Sequence, residues 1–317
     1  MKSLNLIIIL LHSMIIAYCF IGKLPSYAVD TVYQARLFYN GPIYFIISDY
    51  DSPYISILQT KYNVTIVKYD SVLHTDFAIC IAEYRQKFAY LEGLKGRENL
   101  FIYGFERFFV LYNLMIQKDL SNVFFLELDN LIYDDPLKWE ASFSQKEIAF
   151  MFDNYERCAS GICFIKTQHV LLEFTQHCIK YITETDITKQ FMTEMQALET
   201  FWKAYEHRVQ ILPTHWTSER VPHETHMNYY LYNNTVFDSA GLGIYLGGVD
   251  PFHTNGLILT GLRSVWSAID YTPYQFEWKE DEQGRNIPYV TGELGIIRIN
   301  NLHIHSKNLA PCLSCSL

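Results

Sequence analysis

Two carboxylates, two imidazoles and an ammonium stand in this chain at spacings that would let them share one small volume. Glu127 and Asp129 lie one residue apart in the apolar run Val123-Phe-Phe-Leu-Glu-Leu-Asp-Asn-Leu-Ile-Tyr133. His303, His305 and Lys307 take alternate positions in Asn300-Asn-Leu-His-Ile-His-Ser-Lys-Asn-Leu309. Residues i and i+2 of an extended segment face the same side, so each segment can present its polar groups as one row. Carboxylate oxygens with an imidazole nitrogen suit a hard divalent cation. An ammonium beside them would add a second positive charge to the same volume. Each segment also has a plain reading, as acids solvated at a strand end and as a strand buried through Leu302 and Ile304. Their joint occurrence favours the metal.

Those residues need a scaffold, and hydropathy patterning supplies one. Residues 42–48 and 64–69 read as strands and 54–62 and 75–91 as helices, the alternation of a parallel sheet with crossover helices. Residues 99–118 read as a helix with Phe105, Phe108, Phe109, Tyr112 and Met115 on one stripe. This helix runs into the strand carrying the acids. Residues 148–152 and 159–165 read as two strands, and 169–183 and 188–205 as helices. Residues 213–230 lack a pattern and read as a long loop, a candidate lid. In parallel sheets ligands bind outside the carboxyl ends of the strands, which places Ser48, Asp49 and Tyr50 at a ligand-binding edge. Gly241, Gly243, Gly247 and Gly248 follow Asp238, which suits the cap of a helix beginning near Ser239. The glycines allow close approach to a ligand or to a neighbouring element.

The Glu-x-Asp pair resembles the Asp-x-Asp signature of GT-A glycosyltransferases, with Glu in the first place. With the His-Ile-His-Ser-Lys segment and the glycine run at 235–251, the chain is similar over residues 44–309 to glycosyltransferases of giant viruses, algae and microbes. The resemblance implies a single α/β, GT-A-like (Rossmann-like) domain, a mainly parallel central sheet flanked by helices. It implies that Glu127, Asp129 and a late histidine, His303 or His305, hold Mn²⁺ or Mg²⁺ on the diphosphate of a nucleotide-sugar donor, with Lys307 beside it. Arg107, on the helix before the acidic pair, would reach toward that donor, and Ser48, Asp49 and Tyr50 would meet the nucleotide base. The acceptor, a glycan or protein, would be deprotonated by a carboxylate, Glu194 first and Asp153 second. A metal-dependent nucleotidyltransferase or hydrolase would use the same ion on phosphate. A non-catalytic carbohydrate-binding envelope protein would use none.

Residues 4–22 are almost wholly apolar and follow Lys2, and Ser26 and Ala28 are small. This pattern reads as a signal peptide or signal anchor over residues 1–28, with the catalytic domain at 29–317, in the secretory pathway, lumenal or exported. Asn63-Val-Thr65 and Asn233-Asn-Thr235 would then be glycan acceptors. Six cysteines beyond Cys19 allow three disulfides or buried thiols, and one C-x-x-C without a second excludes a four-cysteine zinc site. Half of the 317 residues are hydrophobic and 16% aromatic, ample for a core. A formal charge of -9 without basic runs argues against nucleic acid, whose phosphates demand clustered cations.

Overall fold

The structure is a computed structural model, described here for residues 14–89, 98–143, 145–189, 192–216, 221–248, 258–259, 263–264, 269–271, 273–292 and 295–316. Its centre is a seven-stranded sheet built from β1 (Ile15–Phe20), β2 (Ile43–Ile47), β3 (Val64–Lys68), β4 (Val123–Leu126), β6 (Ile148–Asn154), β7 (Arg157–Ile165) and β8 (Val209–Leu212). The short β5 (Asn130–Ile132) lies outside it. The order is β3-β2-β1-β4-β7-β6-β8, and every neighbouring pair is parallel except those made by β7. The sheet is therefore mixed and mainly parallel, as expected. The β6–β7 hairpin reverses one strand, so β8 again runs with β4.

Helices cover both faces, which is why the strands are apolar on both sides. One layer holds α3 (Thr75–Ala89), α4 (Glu98–Lys118), α6 (Gln168–Glu184) and α7 (Glu194–Ala204). It packs Phe105, Phe108, Leu111, Phe174 and Phe201 onto Ala17, Ile46, Phe125, Phe150 and Ile165. The opposite layer holds α1 (Tyr27–Phe38), α2 (Ile55–Thr60) and α5 (Glu140–Phe143) over Ile16, Phe45, Phe124, Met151 and Phe164. Phe143 stacks on Phe164 at 4.7 Å, and Trp139 tilts against Phe124 at 5.8 Å. A third cluster joins Leu131 and Tyr133 to α8 (Gly241–Gly247) and to Leu302 and Ile304. It includes the three-stranded sheet of β11 (Gln275–Glu280), β12 (Asn286–Gly292) and β13 (Gly295–Arg298). The pair β9 (Ile258–Leu259) and β10 (Arg263–Ser264) completes the outer strands, and β14 (Asn301–His303) pairs antiparallel with β5.

Several expectations change. The apolar run expected as a leader ending at Ala28 supplies, from Ile15 onward, the strand between β2 and β4. Ala28 is fully buried in α1. A boundary at 28 passes through the domain, because a central parallel strand needs the same uninterrupted apolar composition as a leader. Residues 1–13 lie outside the described residues, among which no helix is long and apolar enough to cross a membrane. The helix expected from 188 starts at Glu194, since the Asp186 carboxylate accepts the Thr188 N–H at 3.1 Å and holds that stretch as a turn. All seven cysteines are free and five are buried, so of the two alternatives, disulfides or buried thiols, the structure has the thiols. Asn63 and Asn233 sit exposed in left-handed loop conformations, φ 49° and 55°.

Candidate metal centre

β4 is buried at all four residues and ends at Leu126. Sequence patterning carries the strand on through Asp129, but the chain turns there, with the Asn130 N–H donating to the Glu127 carbonyl at 3.1 Å. Glu127 and Asp129 thus converge across a turn rather than along a strand. The Thr31 hydroxyl of α1 donates to the Leu128 carbonyl and holds the turn from below. β5 then pairs with β14, placing His303 opposite Asn130. The Ile304 N–H donates to the Asp129 carbonyl at 2.8 Å.

This pairing closes the constellation. His303 Nε2 lies 3.1 Å from Glu127 Oε2 and 3.2 Å from Asp129 Oδ1. Lys307 Nζ meets Asp129 Oδ2. Lys307 adopts φ 62°, a left-handed conformation costly for a side chain with a Cβ and often found where a site over-determines it. Burial alone would raise the Glu127 carboxyl, but the Arg107 guanidinium and then His303 outweigh it and hold it below the usual carboxylate range. Burial would do the same to Asp129, where His303 and Lys307 prevail. Against its own burial, His303 is pushed up to about 10 by Asp129 and Glu127. In the ion-free molecule an imidazolium therefore bridges the two carboxylates.

One ligand atom each from Glu127, Asp129 and His303 fall within 4.8 Å of one another, and the donor set suits a divalent cation. The fit extends to the backing strand. A Cβ on Gly161 would come within 2.9 Å of His303 Nδ1 and 2.7 Å of Asn130 Nδ2, so β7 leaves the space the imidazole fills. His305 stands outside the set, because β14 ends at His303. Its ring packs 4.6 Å from that of His303, and burial with the neighbouring positive charge takes it down to about 3.

Other expected residues divide between two places. Arg107 is a buried clamp. It pairs with Glu127, with Glu194 at 3.2 Å and with the Ser160 hydroxyl at 2.6 Å. Glu194 opens α7 behind the Thr193 cap, and burial raises its carboxyl despite Arg107. Asp153 lies at the end of β6, paired with Arg157 and likewise raised by burial. Ser48, Asp49 and Tyr50 follow β2. Ser48 Oγ accepts the Gly22 N–H at 2.8 Å, Asp49 Oδ2 the Leu24 N–H at 3.0 Å and the Tyr50 hydroxyl the Asp70 N–H at 3.1 Å. Ser48 and Asp49 thus fasten the loop after β1, which borders the site because β1 pairs with β4.

Sequence reasoning missed that loop, residues 21–26, having assigned it to the leader. Asp238, expected as a helix cap, accepts the N–H groups of Ala240, Leu242 and Gly243 at the start of α8, and its carboxylate also accepts the His303 N–H, a link the sequence did not show, all at 2.7–2.9 Å. One cap thereby starts α8 and fixes the backbone of the metal-site histidine. The close approach needs glycine at 243, where a Cβ would stand 2.0 Å from the His303 carbonyl oxygen.

No family model and no curated protein matches this sequence. Solved structures do resemble it. The apo form of mouse xyloside xylosyltransferase 1 aligns at 9% identity and TM-score 0.41, covering 63% of this chain and 85% of that one. The PaToxG glycosyltransferase aligns at 12% and 0.38, covering 61% and 71%. A glycosyltransferase involved in glycosylation of the major capsid of PBCV-1 aligns at 13% and 0.34, covering 62% and 81%. At TM-scores below 0.5 these likenesses assign no family, and the chemistry rests on the residues themselves.

Proposed function

We propose that this chain is a metal-dependent glycosyltransferase that moves a sugar from a nucleoside-diphosphate sugar to a glycan or protein acceptor. The observation that carries the reading is the Glu127–Asp129–His303 set, beside Lys307, at the carboxyl end of β4. β1 and β4 are neighbours whose connections leave to opposite sides, the position where open α/β sheets bind nucleotides. Glu127, Asp129 and His303 would hold the Mn²⁺ or Mg²⁺. When bound, the ion would neutralise a diphosphate and favour its departure.

The chain's own residues supply the rest. Arg107 fixes Glu127 from behind, so the carboxylate is already oriented. Lys307, held on Asp129, carries positive charge to the side where a leaving diphosphate would gain negative charge. The loop fastened by Ser48 and Asp49 would border the nucleotide, and the partly exposed ring of Tyr50 is available to it. For the acceptor proton, the raised carboxyl of Glu194 or of Asp153 is suited to act as base, each restrained by an arginine.

Calorimetry with UDP and GDP, with and without Mn²⁺, followed by a panel of nucleotide sugars and acceptors, tests the reading. Metal-linked nucleotide binding, lost in Asp129→Asn, together with an acceptor-dependent product is expected. Free sugar formed without regard to acceptor would make the chain a hydrolase instead. Absence of any metal-linked heat would remove the enzymatic reading.

A further inference from the structure

α4 carries two charged residues side by side to the carboxyl end of the sheet, and there they part. Arg107 turns to Glu127 at the end of β4. Successive helix positions point about 100° apart, and Glu106 turns the other way, accepting the hydroxyl of Tyr69, the first residue after β3. β1 and β2 stand between β4 and β3 in the sheet. The charges of Arg107 and Glu106 both reach the Cys19 thiol near the end of β1, which burial pushes up to about 12. Glu106 therefore flanks the ends of the strands beside the metal centre.

This carboxylate has no compensating cation. Among the described residues neither a Lys nor an Arg pairs with Glu106, and the Tyr69 hydroxyl occupies Oε1 alone, leaving Oε2 without a partner. The side chain is half-buried, so part of it stays open to solvent. Burial raises its carboxyl despite the bond from Tyr69. Holding Tyr69 in place explains one oxygen, and a neutral amide would serve that purpose without a charge to desolvate. A charge kept at this position suits donors stronger than one phenol.

A diphosphate at Glu127 and Asp129 leaves its nucleoside to run along the strand ends toward β1 and β2, one to two strand spacings or about 5–10 Å away. The loop after β1 faces open space there, since a Cβ on Gly22 would meet nothing within 4 Å. The Asp70 N–H holds the hydroxyl of the partly exposed Tyr50 next to Tyr69. A base entering this space meets acceptors on both carboxylate oxygens, and Oε1 can take a second donor while keeping Tyr69. Guanine presents two neighbouring donors on one edge, its N1–H and its 2-amino group. Adenine and cytosine set an acceptor ring nitrogen beside their amine, and uracil flanks its single N–H with carbonyls. Each of those three turns a lone pair toward the carboxylate.

We propose that Glu106 is the residue that selects the nucleobase of the donor, and that the base it selects is guanine, held through N1–H and the 2-amino group. This rests on the transferase reading and narrows its donor to a guanosine-diphosphate sugar. The test is calorimetric titration of the full chain, with Mn²⁺ present, by GDP, IDP, UDP, CDP and ADP. GDP binds about tenfold tighter than IDP, which differs only in lacking the 2-amino group and so forfeits one hydrogen bond to a charged acceptor. UDP, CDP and ADP bind more weakly than GDP as well. Glu106→Gln, whose amide turns a donor toward the base, removes the preference for GDP over IDP, and Tyr69→Phe, which frees the carboxylate to swing, narrows it. The GDP and IDP comparison needs no variant, so it stands whether or not Glu106→Gln folds. GDP binding no tighter than IDP or UDP, or a preference that survives intact in Glu106→Gln, overturns the role of Glu106 and leaves the transferase reading standing. Absence of Mn²⁺-linked binding for all five nucleotides overturns both.

Discussion

Arginine is shared between two glutamates at two places in this molecule, and the two triads differ in burial. Arg208 donates to both oxygens of Glu147 at 2.7 Å and to Glu173 at 2.5 Å, with both glutamates about a third exposed. Beyond it only the exposed ring of His169 approaches, 3.7 Å from Glu173, among the described residues. Arg107 joins Glu127 to Glu194, but its partners are more deeply buried and the chain of charges runs on through His303, Asp129 and Lys307. An exposed network staples surface elements at little cost and little gain. A buried one is costly to assemble and more costly to interrupt, so its persistence here favours a role beyond holding helices together.

The contrast is broken most severely at its centre. Arg107→Met leaves the largely buried Glu194 without its ion-pair partner and Glu127 with His303 alone, and should cost about 3–5 kcal/mol in urea unfolding. A loss as small as that of a surface pair would make the two triads equivalent. Asp129→Asn removes a ligand and the partner of Lys307, so Mn²⁺ affinity should fall on the order of 100-fold or more by calorimetry, beyond the usual effect of a supporting residue. Gly161→Ala forces His303 and Asn130 aside and should cost about 1–3 kcal/mol, with weakened metal binding in the same titration. Arg208→Ala should cost about 1 kcal/mol or less once solvent screening is allowed for, read as a small shift in the thermal midpoint.

Protonation sharpens the same comparison. An ion can take His303 Nε2 only after its proton leaves, so Mn²⁺ affinity should climb as pH rises toward the value of about 10 held by His303. Proton release, measured in buffers of different ionisation heat, should vanish above it. The sign for stability is opposite. The raised imidazole stabilises the ion-free fold fully below its ordinary 6.5 and loses that contribution as pH rises through about 10. Glu127 and Asp129, both depressed, lose theirs as pH falls below the ordinary carboxylate range. Urea midpoints across pH, with chelator present, check both limbs.

Where residue alternation was strong, the sequence carried the answer. β2, β3, α4 and the β6–β7 hairpin lie within a few residues of their expected bounds, since each buries a regular set of apolar side chains. Glu127, Asp129 and His303 were legible as a group because acids ending an apolar run and a distant alternating histidine are rare together. The turn that joins the acids was not, because propensity does not reveal that β4 stops at Leu126 and hands its partner to β14. His305 illustrates the same limit, since alternation holds only while the chain stays extended. The clamp joining Arg107 to Glu194 unites helices 87 positions apart in the chain, and no local signal encodes it.

The placement of β1 bears on how the protein is produced. A recombinant version trimmed to begin at residue 29 would lack the ribbon that normally fills the slot between β2 and β4. Two rows of unsatisfied amides and carbonyls would then face each other across a gap, an open template for strands of other molecules. Such material should collect in inclusion bodies, while versions retaining Met14 onward should stay in the supernatant.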